Sequence, residues 1–184
     1  MIVRETDLKG LFDLTPNVVE DFRGFFMEVY KEDHFRDFKL PFSFVQDNQS
    51  RSKNGVVRAL HFQYNPPIGK LMRVTRGEAF VVAVDIRKNS PTFGKHLTFT
   101  LSDQNKKMIY ASPGFANGFC AMTDIVDMQY KFTGLYNPKG ESNIKWDDSD
   151  IGIMWPEKNP IISERDKNAQ SFKEWLNNPN SNVW

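Results

Sequence analysis

The chain has a single cysteine, Cys120, so no internal disulfide can form, and this thiol usage fits a reducing compartment. No apolar run approaches the length needed to span a bilayer. The opening MIVRETDLKG is charged and lacks the apolar stretch of a secretory signal. Charge of one sign is also lacking: 24 basic residues stand against 23 acidic ones, which argues against a nucleic-acid or membrane-surface partner. Together these absences predict a cytoplasmic protein. There is no internal repeat, low-complexity linker, phosphate-binding loop, dinucleotide fingerprint or Gly-x-Ser-x-Gly elbow. Histidine is scarce as well, with only His34, His61 and His96.

What is abundant is phenylalanine, with 16 copies, in a chain of 184 residues that is 40% hydrophobic. That suits one domain, residues 1–184, with a core of sheets packed face to face. Turn signals recur at short intervals, among them Asn54-Gly55, Asn65-Pro66, Ser90-Pro91, Pro113-Gly114 and Asn137-Pro138. Between them, strand-like runs are predicted at 56–63, 70–74, 79–86, 96–101, 107–111, 118–122 and 125–132. Strands at this spacing indicate a β-sandwich or barrel, here with a core of about 20–150. Helices are predicted at 31–38 and, as a C-terminal tail of about 163–177, with Phe172, Trp175 and Leu176 on one face.

Strand period two says which side chains share a face. Val126, Met128 and Tyr130 align, as do Lys70, Met72 and Val74. A lysine in phase with apolar residues needs a reason. His61 falls in phase with Val57 and Ala59, although both faces of 56–63 are apolar and alternation alone leaves that phase open. Singly, each polar group has an ordinary explanation: a core histidine, a lysine snorkelling from a strand end, a half-buried tyrosine. Their coincidence on inward faces points instead to proton transfer beside a carbonyl, with histidine as shuttle and lysine holding an enolate oxygen. Asp166 has two readings, as part of a Ser163–Asp166 capping box or as the carboxylate that orients His61. Arg23 and Glu28 read as a solvated hairpin or as an ion pair near an anion. Gln46, Asn48 and Ser50 alternate along an extended segment, as a pocket wall or an exposed edge. No metal is expected, because His61-Phe62-Gln63 supplies one histidine where a metal-binding barrel shows His-x-His.

Taken together, these motifs are similar to those of one family. Residues 21–28 (DFRGFFME) match D-x-R-G-x-F-x-E, 46–52 match Q-x-N-x-S-x-S, and 57–63 (VRALHFQ) resemble L-R-G-L-H-x-Q. Lys70, the 84–94 segment, the 113–119 turn, Tyr130-Lys131, Tyr136-Asn137-Pro138 with Glu141, Trp146-Asp147-Asp148, Trp155-Pro156 and 163–166 (SERD) follow in order. The chain thus resembles the dTDP-4-dehydrorhamnose 3,5-epimerase family nearly end to end. The resemblance implies a mainly β, cupin-type jelly roll with a few short peripheral helices, a nucleotide-sugar substrate, no cofactor, and a homodimer. It also implies roles: His61 as base, Asp166 as its partner, Lys70 on the enolate oxygen and Tyr130 as the acid on the opposite face. Arg23, Phe26, Glu28, Gln46, Asn48 and Arg58 correspond to nucleotide-sugar contacts, some reaching in from a second subunit, with Tyr136 shaping the pocket. The activity implied is epimerisation at C3 and/or C5 of a nucleotide-linked 4-keto-6-deoxyhexose, dTDP-4-dehydro-6-deoxyglucose first. Alternatives are a single-carbon epimerase, action on another sugar such as a GDP-4-keto-heptose, a ketoisomerase, or a non-catalytic sugar-nucleotide-binding protein.

Two departures stand out. Asn117 replaces the histidine of the family's A-H-G-F, and Ala59 replaces the glycine of R-G-L-H. Asn117 keeps hydrogen bonding but cannot titrate, which leaves open whether C3, C5 or both are inverted and which nucleotide is bound. Ala59 adds a methyl near the base and is expected to narrow the pocket.

Overall fold

A computed structural model describes residues 1–41 and 43–184. The strands are β1 (Ile2–Glu5), β2 (Leu11–Thr15), β3 (Val18–Asp21), β4 (Gly24–Met27), β5 (Gln46–Lys53), β6 (Val57–Gln63), β7 (Lys70–Arg76), β8 (Glu78–Asp85), β9 (His96–Ser102), β10 (Met108–Ala111), β11 (Phe115–Ala121), β12 (Ile125–Phe132) and β13 (Glu141–Asn143). Three short helices, α1 (Glu32–Asp37), α2 (Glu164–Lys167) and α3 (Phe172–Asn177), lie outside the sheets, with a 3₁₀ turn at Pro179–Asn182. Among the described residues no helix is long and apolar enough to cross a membrane.

Two antiparallel sheets form the sandwich, in the orders β1-β2-β10-β7-β12-β5 and β13-β6-β11-β8-β9, and β3–β4 stands apart as a hairpin. Met72, Val74, Val126 and Met128, whose shared phases point inward, meet Val81, Ala83, Phe115 and Phe119 of the other sheet between the two layers. A second apolar layer lies behind the five-stranded sheet, where Val57, Leu60, Phe62 and Val82 pack against Phe172 and Trp175. The Phe62 and Trp175 rings meet edge to face at 4.6 Å, an arrangement worth about 1 kcal/mol beyond the area buried. A third cluster covers the other sheet's outer face, with Phe35 of α1 over Leu14, Leu71 and Tyr110. Strand β6 turns Val57, Ala59, Leu60 and Phe62 toward the second layer, while Arg58 on the other side stays exposed and His61 half-buried.

Several boundaries differ from those expected. The sandwich begins at Ile2 instead of near residue 20, because β1 and β2 extend the six-stranded sheet. The single helix expected from residue 163 is two helices. Ser163 caps α2, and Ser171 starts α3 with a full capping box to Glu174. Between them Gln170 leaves the helical path to bridge Ile144 of the sheet edge. Strand β5 was visible only as an extended polar segment, since QDNQSRSK carries no apolar period. It pairs along its whole length with β12.

Candidate active site

A cavity of about 330 Å³ opens between the two sheets. Its floor is apolar, with Met72, Val81, Phe119 and Met128, and its walls carry the polar groups. His61 and Arg58 come from β6 on one wall, while Tyr130, Gln46, Asn48 and Ser50 come from β12 and β5 on the other.

His61 does not share its face with Val57 and Ala59, as alternation predicted. On β11, Asn117 pairs with His61 and Phe119 with Arg58, so two steps of β11 span three of β6. The extra residue is a β-bulge, which re-aims the side chains beyond it. Val57, Ala59 and Leu60 thus face the outer layer, and Arg58 and His61 both line the cavity. The Ala59 methyl consequently points away from the cavity and does not narrow it. Its neighbour across the bulge is Gly118, where any Cβ would stand 2.5 Å from the Ala59 Cβ and 3.0 Å from the Arg58 carbonyl oxygen. A glycine is required there for the strands to approach.

The His61 Nε2–H donates to Asp166 Oδ1 at 2.6 Å. Asp166 is 2% exposed and also accepts from the Ala59 N–H and from Asn143 Nδ2. Burial works to raise its pKa, but His61 and these donors outweigh burial and hold the carboxyl below its ordinary value. The two readings of Asp166 are divided between its backbone and its side chain: its backbone N–H donates to Ser163 Oγ at 3.1 Å, and its carboxylate goes to His61. With Nε2 occupied, Nδ1 is the ring nitrogen left to take a proton.

Lys70 opens β7, and its Nζ donates to the His61 carbonyl oxygen at 3.1 Å and lies 5.6 Å from the Phe132 ring centre. Desolvation of the ammonium pulls its pKa down to about 8, with Glu141 acting upward and Arg165 downward. Tyr130 is hydrogen-bonded to Ser50 Oγ at 2.9 Å. Burial raises its pKa, partly offset by Ser50 and the Arg58 charge. Arg58 reaches across the sandwich to Ser52 Oγ at 3.0 Å and the Arg51 carbonyl at 3.2 Å.

The cavity mouth is a polar chain. Gln46 donates to Asn48 Oδ1 and accepts the Tyr136 N–H; the Tyr136 hydroxyl donates to Glu141 at 2.6 Å; Glu141 pairs with Arg165 at 2.9 Å. Glu141 and Arg165 received no role from the sequence, although both stand inside the quoted motifs. Asn117 Oδ1 and Asn48 Nδ2 are buried without hydrogen-bond partners among the described residues. Arg23, Phe26 and Glu28 lie outside this cavity. They sit on or beside the β3–β4 hairpin, where Arg23 pairs with Asp21 and Glu28 with His34. Among the described residues no group of three or more His, Cys, Asp or Glu is placed to hold a metal ion.

The chain matches the family described as dTDP-4-dehydrorhamnose 3,5-epimerase over residues 5–174. It is 48% identical over 173 residues to an enzyme of that description from Methanothermobacter thermautotrophicus, covering 92% of this chain and 94% of the other. Among solved structures it is similar to NovW, a 4-keto-6-deoxy sugar epimerase from the novobiocin gene cluster of Streptomyces spheroides, with TM-score 0.92, 34% identity, and 96% and 90% of the two chains covered. It is also similar to the Legionella pneumophila dTDP-6-deoxy-D-glucose-3,5-epimerase solved with dTDP-4-keto-L-rhamnose, with TM-score 0.90, 37% identity, and 94% and 93% covered. On likeness of this extent in both sequence and fold, the chain belongs to the dTDP-4-dehydrorhamnose 3,5-epimerase family.

Proposed function

We propose that the protein is an isomerase that epimerises the dTDP-linked 4-keto-6-deoxyhexose dTDP-4-dehydro-6-deoxyglucose, giving dTDP-4-dehydrorhamnose. The observation that carries this reading is a histidine–carboxylate pair on one wall of the cavity and a half-buried tyrosine on the opposite sheet. Inversion requires a base and an acid on opposite faces of the sugar. The C4 ketone acidifies C3–H and C5–H, so the chemistry calls for no redox cofactor. His61 takes the proton through Nδ1 while Asp166 stabilises the imidazolium. Lys70 holds the enolate oxygen, and Tyr130 returns a proton from the other side. General acid–base assistance of this kind is worth about 10²–10⁴ in rate, and a charge-assisted enolate contact adds to it. Incubating the protein with dTDP-4-dehydro-6-deoxyglucose in D₂O tests this. Inverted product carrying solvent deuterium beside the ketone is expected; unlabelled, unchanged sugar contradicts it.

The pH profile tests Lys70. Only the protonated amine can hold an enolate, and its pKa of about 8 puts its loss within reach. The kcat/KM of the free enzyme is expected to fall about tenfold per pH unit above pH ~8. In Lys70→Met that limb should vanish, with a lower and flatter profile; a limb that persists at the same pH would assign it to another group.

Arg23, Phe26 and Glu28 belong in this proposal through a second copy of the chain. The hairpin that carries them exposes Val19, Phe22, Phe25 and Phe26, at 66%, 98%, 54% and 74%. Val19 and Phe26 are cross-strand neighbours on one face of the hairpin; exposed apolar side chains grouped this way mark an interaction surface, and two-fold dimers are the commonest oligomers. The hairpin then delivers nucleotide contacts to the neighbouring cavity. Light scattering at micromolar concentration should give a dimer, and a monomer mass would remove this part of the proposal. The lone cysteine, buried and free, supports action in the cytoplasm.

A further inference from the structure

Asn117 is 7% exposed, and its Oδ1 has no hydrogen-bond partner among the described residues. The amide is nevertheless oriented. Its Nδ2 donates to the Phe115 carbonyl at 3.0 Å, and turning it over would bring two carbonyl oxygens together. On β11, Phe115, Asn117 and Phe119 share a face by strand alternation. The two phenylalanines pack between the sheets and Asn117 lines the cavity. Asn117 is also the cross-strand partner of the base, His61. A buried carbonyl left unpaired costs about 1–3 kcal/mol, and a ligand that brings a donor removes that cost.

Resting on the proposed epimerase reading, we propose that Asn117 is a specificity-determining residue. Its carbonyl accepts a hydrogen bond from the sugar hydroxyl at C3 or C2, and so favours presentation of the C3–H edge to His61 over the C5–H edge. The chemistry of the sugar sets the direction. In a 4-keto-6-deoxyhexose linked through C1, the remaining hydroxyls are on C2 and C3. The C5 side offers the ring oxygen, which only accepts, and the C6 methyl, which does neither. A neutral acceptor beside the base is therefore matched by one edge of the ring and left unpaired by the other. An imidazole at this position, as in the family pattern A-H-G-F, presents a donor or an acceptor and serves either edge. The asparagine does not have that freedom while Phe115 holds its amino group.

The test is positional. Wild type, Asn117→Leu and Asn117→Ser are incubated with dTDP-4-dehydro-6-deoxyglucose in D₂O, and initial deuterium uptake at C3 and C5 is read from the same NMR spectra. Asn117→Leu is expected to lower the C3:C5 ratio by about tenfold or more, since a site built to bond a hydroxyl loses most of its discrimination with that bond. Residual C5 uptake in the same sample reports a folded enzyme. Should the leucine variant fail to fold, Asn117→Ser, which shortens the reach to the hydroxyl, lowers the ratio in the same direction. An unchanged ratio in an active variant overturns the inference alone. No uptake at either carbon in wild type overturns the functional reading and this inference with it.

Discussion

Replacing His61 by asparagine is expected to abolish solvent deuterium uptake at both C3 and C5 and to lower turnover by about 10³–10⁴-fold. Asparagine can still donate to Asp166, so the carboxylate, which is 2% exposed, is not left without a partner. What is lost is the ring nitrogen that accepts the proton. Because one base serves both carbons in this account, exchange at C3 and C5 falls together. The size lies in the upper part of the range for general base catalysis, since Glu141, the carboxylate that also lines the cavity, is already tied to Tyr136 and Arg165. The Lys70 amine also lines the cavity, and while protonated it cannot act as a base. A melting temperature close to that of wild type would show that the loss is chemical. Continued exchange at either carbon would require a different base.

Tyr130→Phe is expected to lower product formation by roughly 10²-fold or more while leaving the fold intact. The change removes one hydroxyl. Its partner, Ser50, lines the cavity and can bond water instead, so little stability is lost. The ring keeps its packing against the core between the sheets. Desolvation favours the neutral phenol, which is the form that can give up a proton to the enolate. Full activity in Tyr130→Phe would move the acid's role elsewhere, with Tyr136 next in line because it also lines the cavity.

The parts of this arrangement differ in how far they could be read from the residues. Lys70 and Tyr130 sit on strands whose alternation is regular, so their inward phase was legible from Met72 and Val74 in one and Val126 and Met128 in the other. His61 reached the same cavity by a route that alternation could not give. In β6 a bulge opposite Gly118 puts Ala59 and Leu60 on the same apolar face and shifts His61 onto the face of Arg58, so strict alternation gives the wrong phase. A sandwich or barrel was visible in the turn spacing, with the jelly-roll class implied only by the family resemblance; β5 was not visible as a strand, because its polar residues face solvent on one side and the cavity on the other. The C-terminal helix was over-extended because apolar spacing at Phe172, Trp175 and Leu176 carries no information about the Gln170–Ile144 bridge that interrupts it. The double use of Asp166 was hidden for a related reason: a capping motif names a residue without saying whether backbone or side chain is engaged. Arg23, Phe26 and Glu28 were legible as motif residues only. Their separation from the cavity is a matter of tertiary placement.

The central claim is that proton removal and proton return occur from opposite walls by different residues. The most direct measurement is the ratio of deuterium exchange to inversion in Tyr130→Phe, followed by NMR in D₂O and compared with His61→Asn. With the acid gone, His61 still lifts the proton and returns a solvent deuteron to the same face. The account therefore predicts labelled substrate of unchanged configuration in Tyr130→Phe, with exchange outrunning inversion, and no label in His61→Asn. Equal loss of exchange and inversion in both variants would contradict it.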